Sequence, residues 1–157
     1  MSIERVREYL KRFGRDGDVL EFDSSSATVS LAAALLGVED GNIAKSLSLD
    51  LKGDTVIVVC AGDRKIDNHR FRECFAAKAK MLPYDETGER TGHMAGGVCP
   101  FAVKESVRTY LDESLRDFEY VYPACGSASS AIKLTCGELE EMCDNFCGWV
   151  DVTVKKA

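Results

Sequence analysis

The chain has 157 residues, 45% of them hydrophobic and 29% charged, with a formal net charge of −6 at pH 7. That length and composition describe one globular domain with a core rather than a disordered segment. No apolar run approaches the roughly 18–20 residues a membrane span needs, and the acidic balance argues against a broad nonspecific grip on nucleic acid.

In chain order, Val6, Tyr9, Leu10 and Phe13 recur at helical spacing and predict an amphipathic helix, capped by Ser2 and ended by Gly14. Asp16-Gly17-Asp18 reads as a turn and Val19 to Phe22 as a short strand. Val29, Ala32, Ala33 and Leu36 repeat the helical spacing up to Gly37, and a short helical turn is predicted over Asn42 to Lys45. Strands are expected over Ser46–Leu51 and Thr55–Ala61, joined by the hairpin signal Lys52-Gly53-Asp54. The run Val56-Ile57-Val58-Val59 is uniformly apolar, which predicts a central strand. Asp67 can cap a helix carrying Phe71, Cys74 and Phe75, and another helical turn is expected near Asp85–Arg90. Strands are predicted at Val107–Leu111, Glu119–Tyr122, Ala131–Leu134 and Trp149–Val154. Thr135 with Glu138 forms a capping box ahead of Leu139, Met142, Cys143 and Phe146. The order lacks regular β-α-β alternation, so the expected class is α+β, one domain over 1–157, and not a doubly wound sheet.

Seven cysteines stand at 60, 74, 99, 125, 136, 143 and 147 with no Cys-x-x-Cys pair, and neither His69 nor His93 has metal-ligand spacing to a cysteine cluster. Free thiols, mostly buried, are expected, with no metal site and no cofactor. The N-terminus carries charge and no apolar signal segment, so the expected compartment is the cytoplasm, without membrane association.

Charge is uneven. Between residues 64 and 80 six basic side chains (Arg64, Lys65, Arg70, Arg72, Lys78 and Lys80) face two acidic ones, Asp67 and Glu73. This suits either a solvated helix face or a partner with a phosphate-rich end. The loop Gly96-Gly97-Val98-Cys99-Pro100 and the loop Gly126 to Ser130 could be tight turns, or could point N–H groups at a phosphate or oxyanion. Cys99 could be a small buried packing residue or, with His93, a thiol nucleophile. Lys45 alone could be an ordinary surface lysine or a cleft cation.

Taken in order, several blocks resemble one family. They are Ser25-Ser26-Ala27-Thr28, Gly37-Val38, Ile43-Ala44-Lys45-Ser46-Leu47, Ala61 to Asp67, Gly96 to Phe101, Tyr110 to Leu115, and Val121-Tyr122-Pro123-Ala124-Cys125-Gly126-Ser127. Over roughly residues 20–147 the chain resembles the YbaK/ProX family of aminoacyl-tRNA deacylases, the prolyl-tRNA editing type of domain. The resemblance implies a compact α+β fold with a mixed, barrel-like sheet and flanking helices. It implies a trans-acting hydrolase of mischarged tRNA, with tRNA(Pro) bearing a small noncognate residue such as cysteine or alanine as substrate. The implied partners are the aminoacylated tRNA end and prolyl-tRNA synthetase.

The family's key lysine falls on Lys45, its glycine loop on Gly96, Gly97 and Pro100, and its second loop on Gly126 and Ser127. By that resemblance, Lys45 and main-chain donors of the two loops would serve catalysis. Ser26, Thr28, Lys45, Arg64, Lys65, Pro100 and Phe101 would contact substrate, with water or a substrate group attacking the ester. Members specific for cysteinyl-tRNA carry a tyrosine near Leu20 and an aspartate near Ala131, and this chain departs from that pattern at both positions.

Overall fold

The computed structural model describes residues 2–156. Helix α1 (Ser2–Leu10) buries Val6, Tyr9 and Leu10 and runs into a 3-10 turn over Lys11–Phe13 that Gly14 closes at φ 69°. Ser2 stands inside the helix, and its hydroxyl hydrogen-bonds His93 Nδ1. Strand β1 (Leu20–Glu21) precedes helix α2 (Val29–Leu36). Thr28 caps α2 by accepting from Leu31 N–H at 3.2 Å, and Gly37 ends it at φ 70°.

The turn expected over Asn42–Lys45 lies earlier, as a 3-10 turn over Asp40–Asn42. The Asn42 side chain reaches back to the Glu39 N–H at 3.2 Å and closes the turn there. Strand β2 (Ile43–Leu51) therefore begins before Lys45, which is a strand residue.

Lys52 at φ 53° and Gly53 at φ 92° make the tight reversal into β3 (Asp54–Ala61). Then follow β4 (Arg64–Ile66), α3 (Asn68–Phe75), capped by Asp67, and α4 (Tyr84–Thr91). Beyond a long loop come β5 (Arg108–Asp112), the two-residue strands β6 (Tyr122–Pro123) and β7 (Ser130–Ala131), and α5 (Cys136–Met142) behind its capping box. The single strand expected at Trp149–Val154 is two, β8 (Phe146–Val150) and β9 (Thr153–Lys155).

Five strands form a curled half-barrel in the order β6-β2-β3-β5-β8. β2 and β3 are antiparallel, and the other three pairings are parallel. The separate pairs β1–β7 and β4–β9 flank it. β3 is central, and its alternate residues enter two cores. Ile57 and Val59 pack with α1, α5, Phe101 and Leu111, while Val56 and Val58 pack with Phe71 and Val152.

The fully buried Asp112 explains the split of the last strand. Its carboxylate accepts from Val152 N–H at 2.9 Å, Thr153 Oγ1 at 2.7 Å and Ser114 N–H at 3.1 Å, drawing the chain out of the main sheet toward β4. No helix among the described residues is long and apolar enough to cross a membrane.

Candidate active site

One edge of β2 is paired throughout with β3, but the other is covered in two pieces. β6 pairs only at Ile43 and Ala44. Further on, Leu82 N–H donates to the Ser48 carbonyl at 3.0 Å and Asp50 N–H to the Lys80 carbonyl at 2.8 Å. Strand alternation gives Ser46 the same edge-facing orientation as Ser48 and Asp50. Its main chain thus faces the interval between the two covers, and a cavity of about 320 Å³ opens there.

One wall is Ser26 to Val29 with Ala32 of α2; a second is Met81, Leu82, Tyr84 and Thr87; a third is Gly96, Val98, Ala124, Ser130 and Ala131. Ser46 lines this cavity, and its Oγ is buried with no hydrogen-bond partner among the described residues. An unpaired buried hydroxyl costs about 1–3 kcal/mol, which a bound polar group would offset.

Lys45 also borders the cavity, from the other face of β2. Its Cα pairs with Cys60, and its ammonium donates to the Arg64 carbonyl. Burial pulls its pKa below the usual lysine value; Lys156 adds to that pull, while Cys60 and Asp63 oppose it.

The two glycine loops touch. A Cβ on Gly97 would lie 2.8 Å from Gly126 C and Ser127 N, so only glycine allows this approach. Gly97 N–H donates to the Met94 carbonyl at 3.0 Å. Gly126, at φ 89°, lies under Ser2, whose atoms would be 2.9 Å from a Cβ there. Ser127 donates to Ser130 Oγ at 2.8 Å, and Ser130 in turn accepts from Cys125 N–H at 3.2 Å.

Cys99 Sγ lies 3.5 Å from His93 Nε2, so the pairing suggested by sequence exists in space. It is not a nucleophile–base pair. His93 Nε2 donates to the Phe101 carbonyl at 2.7 Å and already carries the proton; Nδ1 accepts from Ser2. Burial lowers the His93 pKa and pushes the Cys99 thiol up to about 12, against the pull of main-chain hydrogen bonds from Phe101 and Gly126. Both groups are neutral packing residues.

The model of the aminoacyl-tRNA editing domain matches residues 23–142. The chain belongs to this family. It is 50% identical over 153 residues to the uncharacterised protein YwhH of Bacillus subtilis (strain 168), covering 97% of each chain. Its fold matches the hypothetical protein APE2540, 28% identical, at TM-score 0.81 over 96% of this chain and 99% of that one. It also matches a candidate trans-editing enzyme for prolyl tRNA synthetase, 26% identical, at TM-score 0.84 over 99% and 98% of the two chains.

Within this editing domain, the expected residues divide. Ser26, Thr28, Lys45 and Gly96 come together around the cavity. Gly97, Gly126 and Ser127 pack together behind it, and of the two glycine loops' expected donors only Gly96 lines it. Pro100 and Phe101, expected as substrate contacts, are buried beneath the loop and do not line the cavity. Arg64 lies 3.6 Å from Asp117, and Lys65 is exposed on β4; neither side chain lines the cavity.

Sequence reasoning missed Ser46, Ser48, Met81, Tyr84 and Ser130 as cavity residues. Only the unassigned apolar run Met81-Leu82-Pro83-Tyr84 offered a local signal. Leu20 and Ala131 are direct partners across β1–β7, and Ala131 lines the cavity. Among the described residues no group of three or more histidine, cysteine, aspartate or glutamate side chains is arranged to hold a metal ion.

Proposed function

We propose that the chain is a trans-acting aminoacyl-tRNA deacylase that hydrolyses the ester of tRNA charged with a small noncognate amino acid, tRNA(Pro) in the first instance. The observation that carries this reading is the cavity at the broken edge of β2, lined by Ser46, whose buried hydroxyl has no partner among the described residues, and by Lys45. Alanines 27, 32, 44, 95, 124 and 131 line a space of about 320 Å³, suited to a small aminoacyl group with its ribose at the mouth. A proofreading site of this kind answers a physical limit: one methylene distinguishes substrates by only ~1–3 kcal/mol in a synthetic pocket.

In the proposed reaction a water oxygen bonds to the ester carbonyl carbon. The bond from that carbon to the ribose oxygen breaks, the ribose oxygen leaves with a proton, and free amino acid and uncharged tRNA result. The Gly96 amide and the Ser46 hydroxyl are the donors assigned to the developing oxyanion. A single such donor typically contributes ~10²–10³ in rate. Lys45 holds the terminal ribose or its phosphate with the ammonium donors not engaged by Arg64. Gly97, Gly126 and Ser127 fix the loop that presents Gly96. Arg64 and Lys65 lie toward the acceptor stem.

The test is a deacylation panel of prolyl-, alanyl-, cysteinyl- and seryl-tRNA on cognate and noncognate tRNAs. Accelerated release from at least one mischarged small-amino-acid tRNA is expected. Folded protein that is silent across the panel would leave a tRNA- or synthetase-binding module of the same fold. The departure from the cysteinyl-specific pattern at Leu20 and Ala131, which pair across β1–β7, favours that second reading.

A further inference from the structure

The mouth of the cavity carries a feature that ester hydrolysis does not use. Tyr84 at 78% exposure, Met94 at 68% and Met81 at 54% are the three most exposed large hydrophobic side chains among the described residues. They are held in one arc. Residues 80–82 are pinned to the edge of β2 by the Lys80 and Leu82 hydrogen bonds, with Met81 bridged to Leu49. Tyr84 opens α4, and Gly88 follows one turn later on the same helix face. A Cβ on Gly88 would lie 2.8 Å from Met94 Sδ, so this mid-helix glycine lets Met94 lie on that face. The Met94 carbonyl then accepts from Gly97, which ties the arc to the glycine loop and Gly96.

We infer that Tyr84, flanked by Met81 and Met94, is a stacking platform for the unpaired nucleobases at the 3′ end of the substrate tRNA, the terminal base first. This rests on the deacylase reading only for the identity of the occupant. An ester group seated in the cavity carries its ribose at the mouth, and the base on that ribose must then lie over the rim. Every base has an apolar π face, and aromatic side chains bind single strands by stacking with little sequence preference. Thioethers add polarizable, adaptable surface around such a ring.

The charges agree. Asp85, Glu86 and Glu89 of α4 repel phosphates from the helix, whereas Lys78 and Lys80 lie on the chain leading into Met81. The sugar–phosphate backbone is thereby directed along the lysine side, and the base is left over Tyr84.

The probe is an uncharged single-stranded oligonucleotide of the tRNA 3′ end with 2-aminopurine as its terminal base, titrated with the full chain while fluorescence is followed. Wild type should quench saturably. Tyr84→Ala should weaken binding by about 5- to 150-fold, and Tyr84→Phe and Tyr84→Trp should stay within about threefold of wild type. On an aminoacylated substrate, Tyr84→Ala should raise KM and leave kcat near wild type. Tyr84→Ala binding the probe as wild type does, or wild type failing to quench it, overturns the platform even if deacylation is observed. Tyr84-dependent quenching by a protein that deacylates nothing upholds the platform and sinks the deacylase reading instead.

Discussion

Two neighbouring segments differ in how they speak in the sequence and in what they do. The loop from Gly92 to Phe101 holds glycines, a cysteine, a histidine and a proline, whereas Lys78 to Tyr84 holds no motif. In the structure the first is mostly support: His93, Cys99 and Phe101 are buried, and Gly97 is glycine because Gly126 and Ser127 press against it. The second seals half of an open sheet edge and places Met81 and Tyr84 at the cavity mouth. Glycine density reports a steric constraint, and only exposure and unpaired polar groups report a ligand. Lys45 and Gly96 both border the cavity, Lys45 from strand β2 and Gly96 from the glycine loop.

The largest expected effect is on Lys45, where rate and stability should separate. Lys45→Ala should cut kcat/KM for deacylation by about two orders of magnitude, in keeping with loss of a positioning group. Because burial already disfavours the Lys45 ammonium, thermal unfolding should shift little. A folded variant with wild-type turnover would make Lys45 a structural lysine bound to Arg64.

Gly97→Ala should behave in the opposite way. The added methyl meets main-chain atoms at 2.8 Å and must part the two loops, a change of the overpacking kind that costs about 1–3 kcal/mol. Denaturant unfolding gives the number, and a loss below about 0.5 kcal/mol would show that the contact is not tight.

Acid stability sharpens the support role of the same loop. The folded His93 pKa lies below its unfolded value near 6.5 because the ring is buried. As pH falls through about 6.5 the unfolded state takes up a proton that the folded state resists, so stability declines with falling pH. Above that window both states are neutral and the contribution is absent. Wild-type unfolding should therefore steepen with acid below about pH 6.5 relative to His93→Gln, and equal slopes would place the ring in contact with solvent.

The smallest effect is expected at Cys99. With its thiol pushed up to about 12 and the nearby His93 nitrogen already protonated, Cys99→Ser should keep its turnover within about threefold while losing some stability from a buried hydroxyl. A folded variant slowed about a thousandfold would restore the thiol mechanism.

Much of the local structure was legible. The Lys52-Gly53 reversal, the central β3, α2 between Thr28 and Gly37, and the Thr135–Glu138 capping box all follow from near-neighbour chemistry. The misplacements have one local cause and one distant one. Lys45 joined the strand because Glu39 and Asn42 close the preceding turn early, and β8 and β9 separate because Asp112 holds Val152 and Thr153. The cavity had no local signature, since it exists where β6 stops at Ala44 and the chain at Lys80–Leu82 begins. The resemblance points to Ser26, Thr28, Lys45 and Gly96, which border the cavity, and equally to Pro100 and Phe101, which are buried and do not line it, because only the tertiary packing separates the two sets.

The central claim is that ester hydrolysis occurs in the cavity at the β2 edge. Ala27 is exposed on its wall, so Ala27→Trp fills the space without entering the core. The decisive measurement is single-turnover release of alanine or cysteine from mischarged tRNA(Pro) by wild type and by Ala27→Trp, both shown to be folded. The account predicts rapid release by wild type and release near the uncatalysed background by the variant. Equal rates for the two proteins, or no release by wild type, would contradict it.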